Sequence, residues 1–388
     1  MPMNTRSPGR LLGGRKGPAR LLGRNRLGPD ARVLRPARGA VTRIPRVSVV
    51  VPCYNYGHYL PTCLASVLSQ PGVDVDIIVV DDASPDGSAN VAEELASADP
   101  RIAVVRHARN AGHIATYNDG LAKVTGDYVV LLSADDLLAP GSLCRATALM
   151  EAHPSIGFAY GHVETFSVEP PRVAREAVGS WTIWPGLSWA TLRWQHARNC
   201  IWSPEVVMRA SVQQRIGGYR ADFAHTGDLE MWLRAAHEAD VGRVDGPDQA
   251  YYRVHDASMH ATTFEGSQAS GFLVDLLERR RTFEQLADVA PSAEDLRAAQ
   301  RALASDALRT SCRLFARADV DTGLARALVS FASDTYSDAP GLADWHSAQR
   351  LLEMDPRSAK RHPGFLAHEM ALRGKDIARR WYWRLAGI

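Results

Sequence analysis

From Val47 onward, short β-branched runs alternate with stretches of helical spacing. Val47-Ser48-Val49-Val50-Val51-Pro52 is an apolar run closed by proline, which predicts a buried strand ending in a loop. Leu64, Val67 and Leu68 then recur at helical spacing within residues 61–70, and Gly72 ends that element. The alternation continues with strands predicted over residues 76–80, 102–105 and 127–132 and helices over 89–98 and 114–123. This order of elements predicts an α/β fold with a parallel sheet and helices on both faces.

After about residue 263 the period-2 pattern stops. Helical spacing covers residues 272–286, 293–315, 323–333, 342–354 and 365–385, with breaks at Pro291, Asp321, Pro340 and the stretch 356–363. Three regions are therefore expected: a leader over 1–46, an α/β body over 47–262 and a helical C-terminal region over 263–388.

Charge separates the first region from the rest. Residues 1–46 hold eleven Arg and one Lys against Asp30, a net of +11, which leaves 33 basic and 42 acidic residues beyond, a net of −9. Gly13, Gly14, Gly17, Pro18, Gly23, Gly28 and Pro29 break the leader's Leu-Leu pairs, so disorder is expected there. Its Arg–Leu composition offers a second reading, an arm drawn to an anionic membrane surface or an acidic partner. No aromatic interleaving supports nucleic-acid stacking, and a start codon set too far upstream is a third account.

The whole chain, 46% apolar and 23% charged over 388 residues, excludes collagenous, fully disordered and disulfide-framework classes. No apolar run approaches the roughly 20 residues that span a bilayer. The five cysteines are scattered without a close pair, which favours a reducing compartment and argues against a zinc site. A cytoplasmic protein is expected, with peripheral attachment at the inner membrane face left open; the final Arg379-Arg380-Trp381-Tyr382-Trp383-Arg384 either rests on such an interface or packs on the body.

Candidate chemistry lies where strands end. Asp81 and Asp82 follow the second strand and Asp135 and Asp136 the fourth, on the edge where open α/β sheets bind ligands. A lone aspartate there is usually a helix cap, but two doublets on one edge favour a site that takes a divalent cation. No G-x-G-x-x-G follows the first strand, which speaks against a Rossmann dehydrogenase, and no Gly- and Lys/Arg-rich phosphate loop supports a nucleotidyltransferase.

Several ordered motifs resemble the family 2 glycosyltransferases of GT-A fold. They are Val49-Val50-Val51-Pro52-Cys53-Tyr54-Asn55, Val79-Val80-Asp81-Asp82-Ala83-Ser84, Arg109-Asn110-Ala111-Gly112 with Asn118-Asp119-Gly120, and Ser133-Ala134-Asp135-Asp136. The acceptor half adds residues 199–209, Ile216-Gly217-Gly218-Tyr219, the segment 226–234 and Tyr252-Arg253-Val254-His255, so the likeness runs from about Arg46 to Met259.

The resemblance implies a GT-A nucleotide-sugar-binding sheet with a C-terminal helical appendage. It implies transfer of a sugar from a nucleoside-diphosphate sugar to an acceptor hydroxyl, with inversion. By likeness, Pro52 and Tyr54 border the base and ribose, Asp82 reads the base, and Asp135 meets ribose or diphosphate. Asp136 with His255 holds Mg2+ or Mn2+, and Asp228 is the general base, with its position at a helix start also fitting an N-cap. Glu230 is a lesser second acid. Ser133 stands where many members carry the first aspartate of the metal motif, which keeps a non-catalytic sugar- or nucleotide-binding protein as the alternative. Trp181, Trp184, Trp189, Trp194 and Trp202 are candidates for stacking on the acceptor or for core packing.

Overall fold

The computed structural model describes residues 27, 30–36, 43–171, 173–223, 225–256, 268–316, 320–355, 370 and 374. Ten strands lie among them: β1 Arg32–Leu34, β2 Arg46–Cys53, β3 Asp74–Asp81, β4 Ile102–Arg106, β5 Tyr128–Leu131, β6 Leu137–Leu138, β7 Ile156–Phe166, β8 Ser180–Trp184, β9 Val207–Arg209 and β10 Asp240–Arg253. The helices are α1 Leu60–Leu68, α2 Ser88–Ala98, α3 His113–Leu121, α4 Ser142–Ala152, α5 Gly186–His196, α6 Ala210–Ile216 and α7 Gly227–Glu238. Four more follow: α8 Gln268–Gln285, α9 Ala293–Leu314, α10 Thr322–Thr335 and α11 Trp345–Glu353.

The sheet runs β1-β8-β10-β7-β9-β5-β2-β3-β4, with β6 added on β10. Strands β4, β3, β2 and β5 are parallel, as the sequence pattern predicts. Beyond β5 the expectation of a parallel sheet is corrected. β9 runs antiparallel to β5 and β7, β10 is parallel to β7, and β8 is antiparallel to β10.

Strand β2 shows why this sheet needs cover on both sides. Val47, Val49 and Val51 enter one core with Leu64 and Leu149, whereas Val50 enters the other with Ile78, Val80 and Leu229. Alternate side chains point to opposite faces, so a run buried throughout demands helices on both. From β2 the chain steps outward to β3 and β4 and then returns to β5 on the other side. The carboxyl ends of β2, β3 and β5 thus flank a switch in strand order, where a crevice opens.

Part of the leader belongs to this sheet. Arg32–Leu34 pairs with β8 as an edge strand, Leu27 is buried, and Trp184 Nε1 donates to the Leu27 carbonyl at 2.7 Å. Disorder over 1–46 is therefore corrected for residues 32–34; most of the remaining leader lies outside the described residues.

The C-terminal helices follow the sequence reading closely and continue the core. Ser292 and Asp321 cap α9 and α10 by accepting from Asp295 N and Leu324 N. Trp194 of α5 packs edge-on against Phe283 of α8 at 4.8 Å. Asp306 of α9 accepts from Arg198, Arg279 and Arg309, tying α8 and α9 to the loop after α5. The helix predicted over 365–385 and the basic aromatic tail fall outside the described residues, apart from 370 and 374. Among the described residues no helix is long and apolar enough to cross a membrane.

Candidate active site

At the ends of β2 and β3 two loops grip each other. Asp82 N donates to Cys53 O at 3.0 Å and Asn55 N to Ser84 Oγ at 3.1 Å, while Asn55 and Ala83 adopt positive φ. Pro52 is half-buried there, and Tyr54 stands out, 45% exposed. Asp81 Oδ2 accepts from Ser84 N, but its Oδ1 is buried with no hydrogen-bond partner.

Asp82 is occupied by the protein itself. Its Oδ1 meets His107 Nδ1 at 2.8 Å and Ala111 N at 2.7 Å, and its Oδ2 accepts from Gly112 N at 3.0 Å. Burial alone would raise the carboxyl pKa; the bonds from Ala111, His107 and Gly112 outweigh it and hold the group below its ordinary value. The Arg109-Asn110-Ala111-Gly112 motif is thus folded onto Asp82.

After β5 the chain turns, Asp136 N donating to Ser133 O, and buries two carboxylates side by side. Asp136 Oδ1 accepts from Arg253 N at 2.9 Å, and Asp135 Oδ2 meets His255 Nε2 at 2.9 Å. Burial and the neighbouring charge of Asp135 push Asp136 well above the usual carboxylate range. Two crowded carboxylates with an imidazole are a donor set that suits a hard divalent cation, whose charge would relieve that repulsion. His255 turns its Nε2 to Asp135 rather than to Asp136.

Arg253 is the residue here that sequence reasoning passed over, although it lies in a quoted motif. Its Nε donates to the Asp135 carbonyl, and its guanidinium lies 4.4 Å from the rings of both Tyr59 and Phe166. An Arg directly after the pair Tyr251-Tyr252 at the end of β10 is the available signal.

Asp228 belongs to α7. Thr226, not Asp228, occupies the N-cap of α7, so the cap reading is corrected: Asp228 lies in the first helical turn. There the unpaired N–H groups of the helix favour a negative charge. Ser203 Oγ donates to Oδ2 at 2.5 Å and the Tyr219 hydroxyl to Oδ1 at 2.9 Å. Burial raises the carboxyl pKa, against the pull of those two bonds and of the His113 charge. Tyr219 is held in turn by Asn118 of α3, which accepts from Tyr219 N at 2.7 Å and donates to Tyr219 O at 2.8 Å.

The carboxylates from both sides converge on common side chains. Burial and the charges of Asp228, Asp135 and Asp136 push the Tyr117 phenol upward. Burial and the same three carboxylates do so for Tyr252. Trp202 tilts against Tyr252 with ring centroids 4.4 Å apart, and Tyr56 and Tyr59 pack on His255. The three acids and these aromatic rings therefore belong to one neighbourhood.

Other candidates resolve into structural roles. Glu230 is fully buried and ion-paired to Arg234 at 2.6 Å. Trp181, Trp184, Trp189 and Trp194 are core residues, which leaves Trp202 to border the crevice. Ser203 and Tyr219 were not singled out, since hydroxyls in a motif carry no special pattern. Away from the crevice, His162, Glu164 and Asp248 bring ligand atoms within 4.8 Å of one another. The Arg175 guanidinium already lies among them, 2.6 Å from Asp248 Oδ1.

Residues 48–212 match the family model described as glycosyl transferase family 2. The chain is 30% identical over 227 residues to the uncharacterised protein MT1568 of Mycobacterium tuberculosis, a match covering 56% of this chain and 70% of that protein. It is 28% identical over 220 residues to the putative glycosyltransferase EpsE of Bacillus subtilis, covering 55% and 74%. Among solved structures, the mannosyltransferase PcManGT of Pyrobaculum calidifontis, in complex with GDP-Man and Mn2+, superposes with a TM-score of 0.52 at 19% identity, covering 91% of this chain and 86% of that one. A mixed sheet flanked by helices, a strand-order switch with acids on its edge and these likenesses agree: the protein has the GT-A fold and belongs to glycosyl transferase family 2.

Proposed function

We propose that this glycosyltransferase moves a sugar from a nucleoside-diphosphate sugar to an acceptor hydroxyl in a single inverting displacement. The observation that carries the reading is that the charges of Asp135, Asp136 and Asp228 all act on the same phenols, those of Tyr117 and Tyr252. Asp228 takes the acceptor proton as the oxygen attacks the anomeric carbon from the face opposite the diphosphate. Ser203 and Tyr219 hold its two oxygens in place, and burial keeps it basic enough to accept a proton.

On the donor side, Pro52 and Tyr54 border the base and ribose. Asp82 presents the acceptor capacity left on Oδ2 to a ring N–H, and Asp135 meets ribose or diphosphate. Asp136 with His255 would hold Mg2+ or Mn2+, which when bound neutralises charge on the departing diphosphate as a Lewis acid. The donor and Mn2+ bound to PcManGT support this arrangement by analogy of fold. The acceptor meets the aromatic stretch that Trp202 and Tyr252 form beside Asp228.

Two variants test the reading. Asp228→Asn is expected to lose transfer by about 10³-fold while keeping nucleotide affinity; near wild-type transfer would remove the base assignment. Asp136→Ala is expected to lose Mn2+-dependent affinity for UDP or GDP together with turnover, and intact affinity would take Asp136 out of the site.

A further inference from the structure

His107 has a carboxylate at each ring nitrogen. Nδ1 lies 2.8 Å from Asp82 Oδ1 and Nε2 lies 3.0 Å from Asp119 Oδ2, with the side chain 11% exposed. Its backbone N–H donates to Asp81 O at 2.9 Å, so the ring is set where β3, the loop after β4 and α3 meet. The Nε2 contact is at ion-pair range but lies off the line of a hydrogen bond, and this buried nitrogen has no other partner. A neutral imidazole carries one N–H and would turn a lone pair on one of the two carboxylates. Only the imidazolium meets both with a donor.

The position gives the contact its consequence. Asp82 folds Ala111 N–H and Gly112 N–H onto itself, and these residues lead directly into α3. Asp119 is one residue past Asn118, whose amide grips Tyr219, the donor to Asp228. We infer that His107 is a positioning residue which, as an imidazolium bridging Asp82 and Asp119, holds the 107–112 loop and α3 in the arrangement that binds the donor nucleotide.

The inference rests on the donor assignment proposed above. The charged and titratable groups facing the ring are Asp82 from the end of β3 and Asp119 from α3; Arg106, beside it in sequence, pairs with Glu93 instead. A neutral ring would leave one of the two carboxylates facing a lone pair, so loss of the ring's charge should loosen the 107–112 loop and weaken nucleotide affinity.

The test measures binding of UDP and of GDP with Mg2+ at a series of pH values, for the full-length wild type, His107→Gln and Asp119→Asn. Whichever nucleotide binds the wild type is expected to bind His107→Gln about tenfold more weakly at the acid end, the worth of one charge-assisted contact. The same variant is expected to show a flatter pH dependence of binding than the wild type. Asp119→Asn alters an exposed side chain at low risk to folding and is expected to weaken binding in the same direction. Equal affinity and equal pH slope in wild type and both variants would overturn the inference while leaving the donor site intact. Failure of the wild type to bind either nucleotide would remove the donor reading, and this inference with it.

Discussion

Asp228 carries a neutral donor on each oxygen, Ser203 on one and Tyr219 on the other, and this sets how the site titrates. Activity that needs the ionised carboxylate rises as pH climbs through its pKa. Both bonds lower that pKa against the upward push of burial, so Tyr219→Phe should raise it and move the acid limb of the kcat/KM profile to higher pH. A limb that stays in place, or moves down, would contradict this arrangement. Glu205 carries a separate prediction. Its buried carboxyl accepts from Trp202 N and Gly161 N, yet burial lifts its pKa to about 8. A carboxyl whose pKa is higher folded than unfolded stabilises the fold fully below the unfolded value, and that contribution is lost as pH rises toward 8. The thermal unfolding temperature should therefore fall between about pH 5 and 8, and Glu205→Gln should flatten that slope.

At the scale of elements, α3 joins the two halves of the crevice, and Gly218 shows how tightly. A Cβ on Gly218 would stand 2.3 Å from Asn118 Oδ1, so Gly218→Ala must part the amide from Tyr219. The expected cost is about 1–3 kcal/mol, read as a lower midpoint in chemical unfolding, with a larger drop in kcat than in nucleotide affinity. The elements differ in how plainly the sequence announces them. β2, β3 and β5 are buried on both faces by Val, Ile and Leu, so each reads as an apolar run ending in polar residues, and the acid doublets at those ends could be recognised with them. β10 is equally buried, but Arg243, Asp245, Asp248 and Gln249 are among its buried residues: Arg243 pairs with Asp245 on the strand itself, while Asp245 also accepts from Thr182 of β8, Asp248 from Arg175 of the loop before β8 and Gln249 from Arg145 of α4. Such a run does not look like a core strand until its partners are known. The same holds for Ser203 and Tyr219, whose role depends on meeting Asp228 across a loop and a helix start.

For the whole molecule, the core reaches from the sheet through α5 into the C-terminal helices, and one buried carboxylate secures the join. Asp306 faces Arg198, Arg279 and Arg309, whose charges hold it ionised despite burial. Asp306→Asn would remove the shared counter-charge of Arg198, Arg279 and Arg309, leaving Arg279 with Asp275 alone, at an expected cost of about 3 kcal/mol or more. The loss should appear as earlier unfolding of the helical region, measurable by hydrogen exchange along α8 and α9. A milder change than in an exposed pair such as Arg297–Asp338 would refute this view of the join.

The edge strand at Arg32–Leu34 has a consequence in time rather than in space. It leaves the ribosome before any other strand of the sheet, yet its partners are Trp181, Thr182 and Ile183, and Trp184 reaches Leu27 across 157 positions of chain. At about 5–20 residues per second of synthesis, the segment waits many seconds with its backbone groups unpaired and Leu27 exposed. The arginines, glycines and prolines around this short strand disfavour pairing with other chains during that interval, and β10 must also follow before β8 and β1 can join the rest of the sheet.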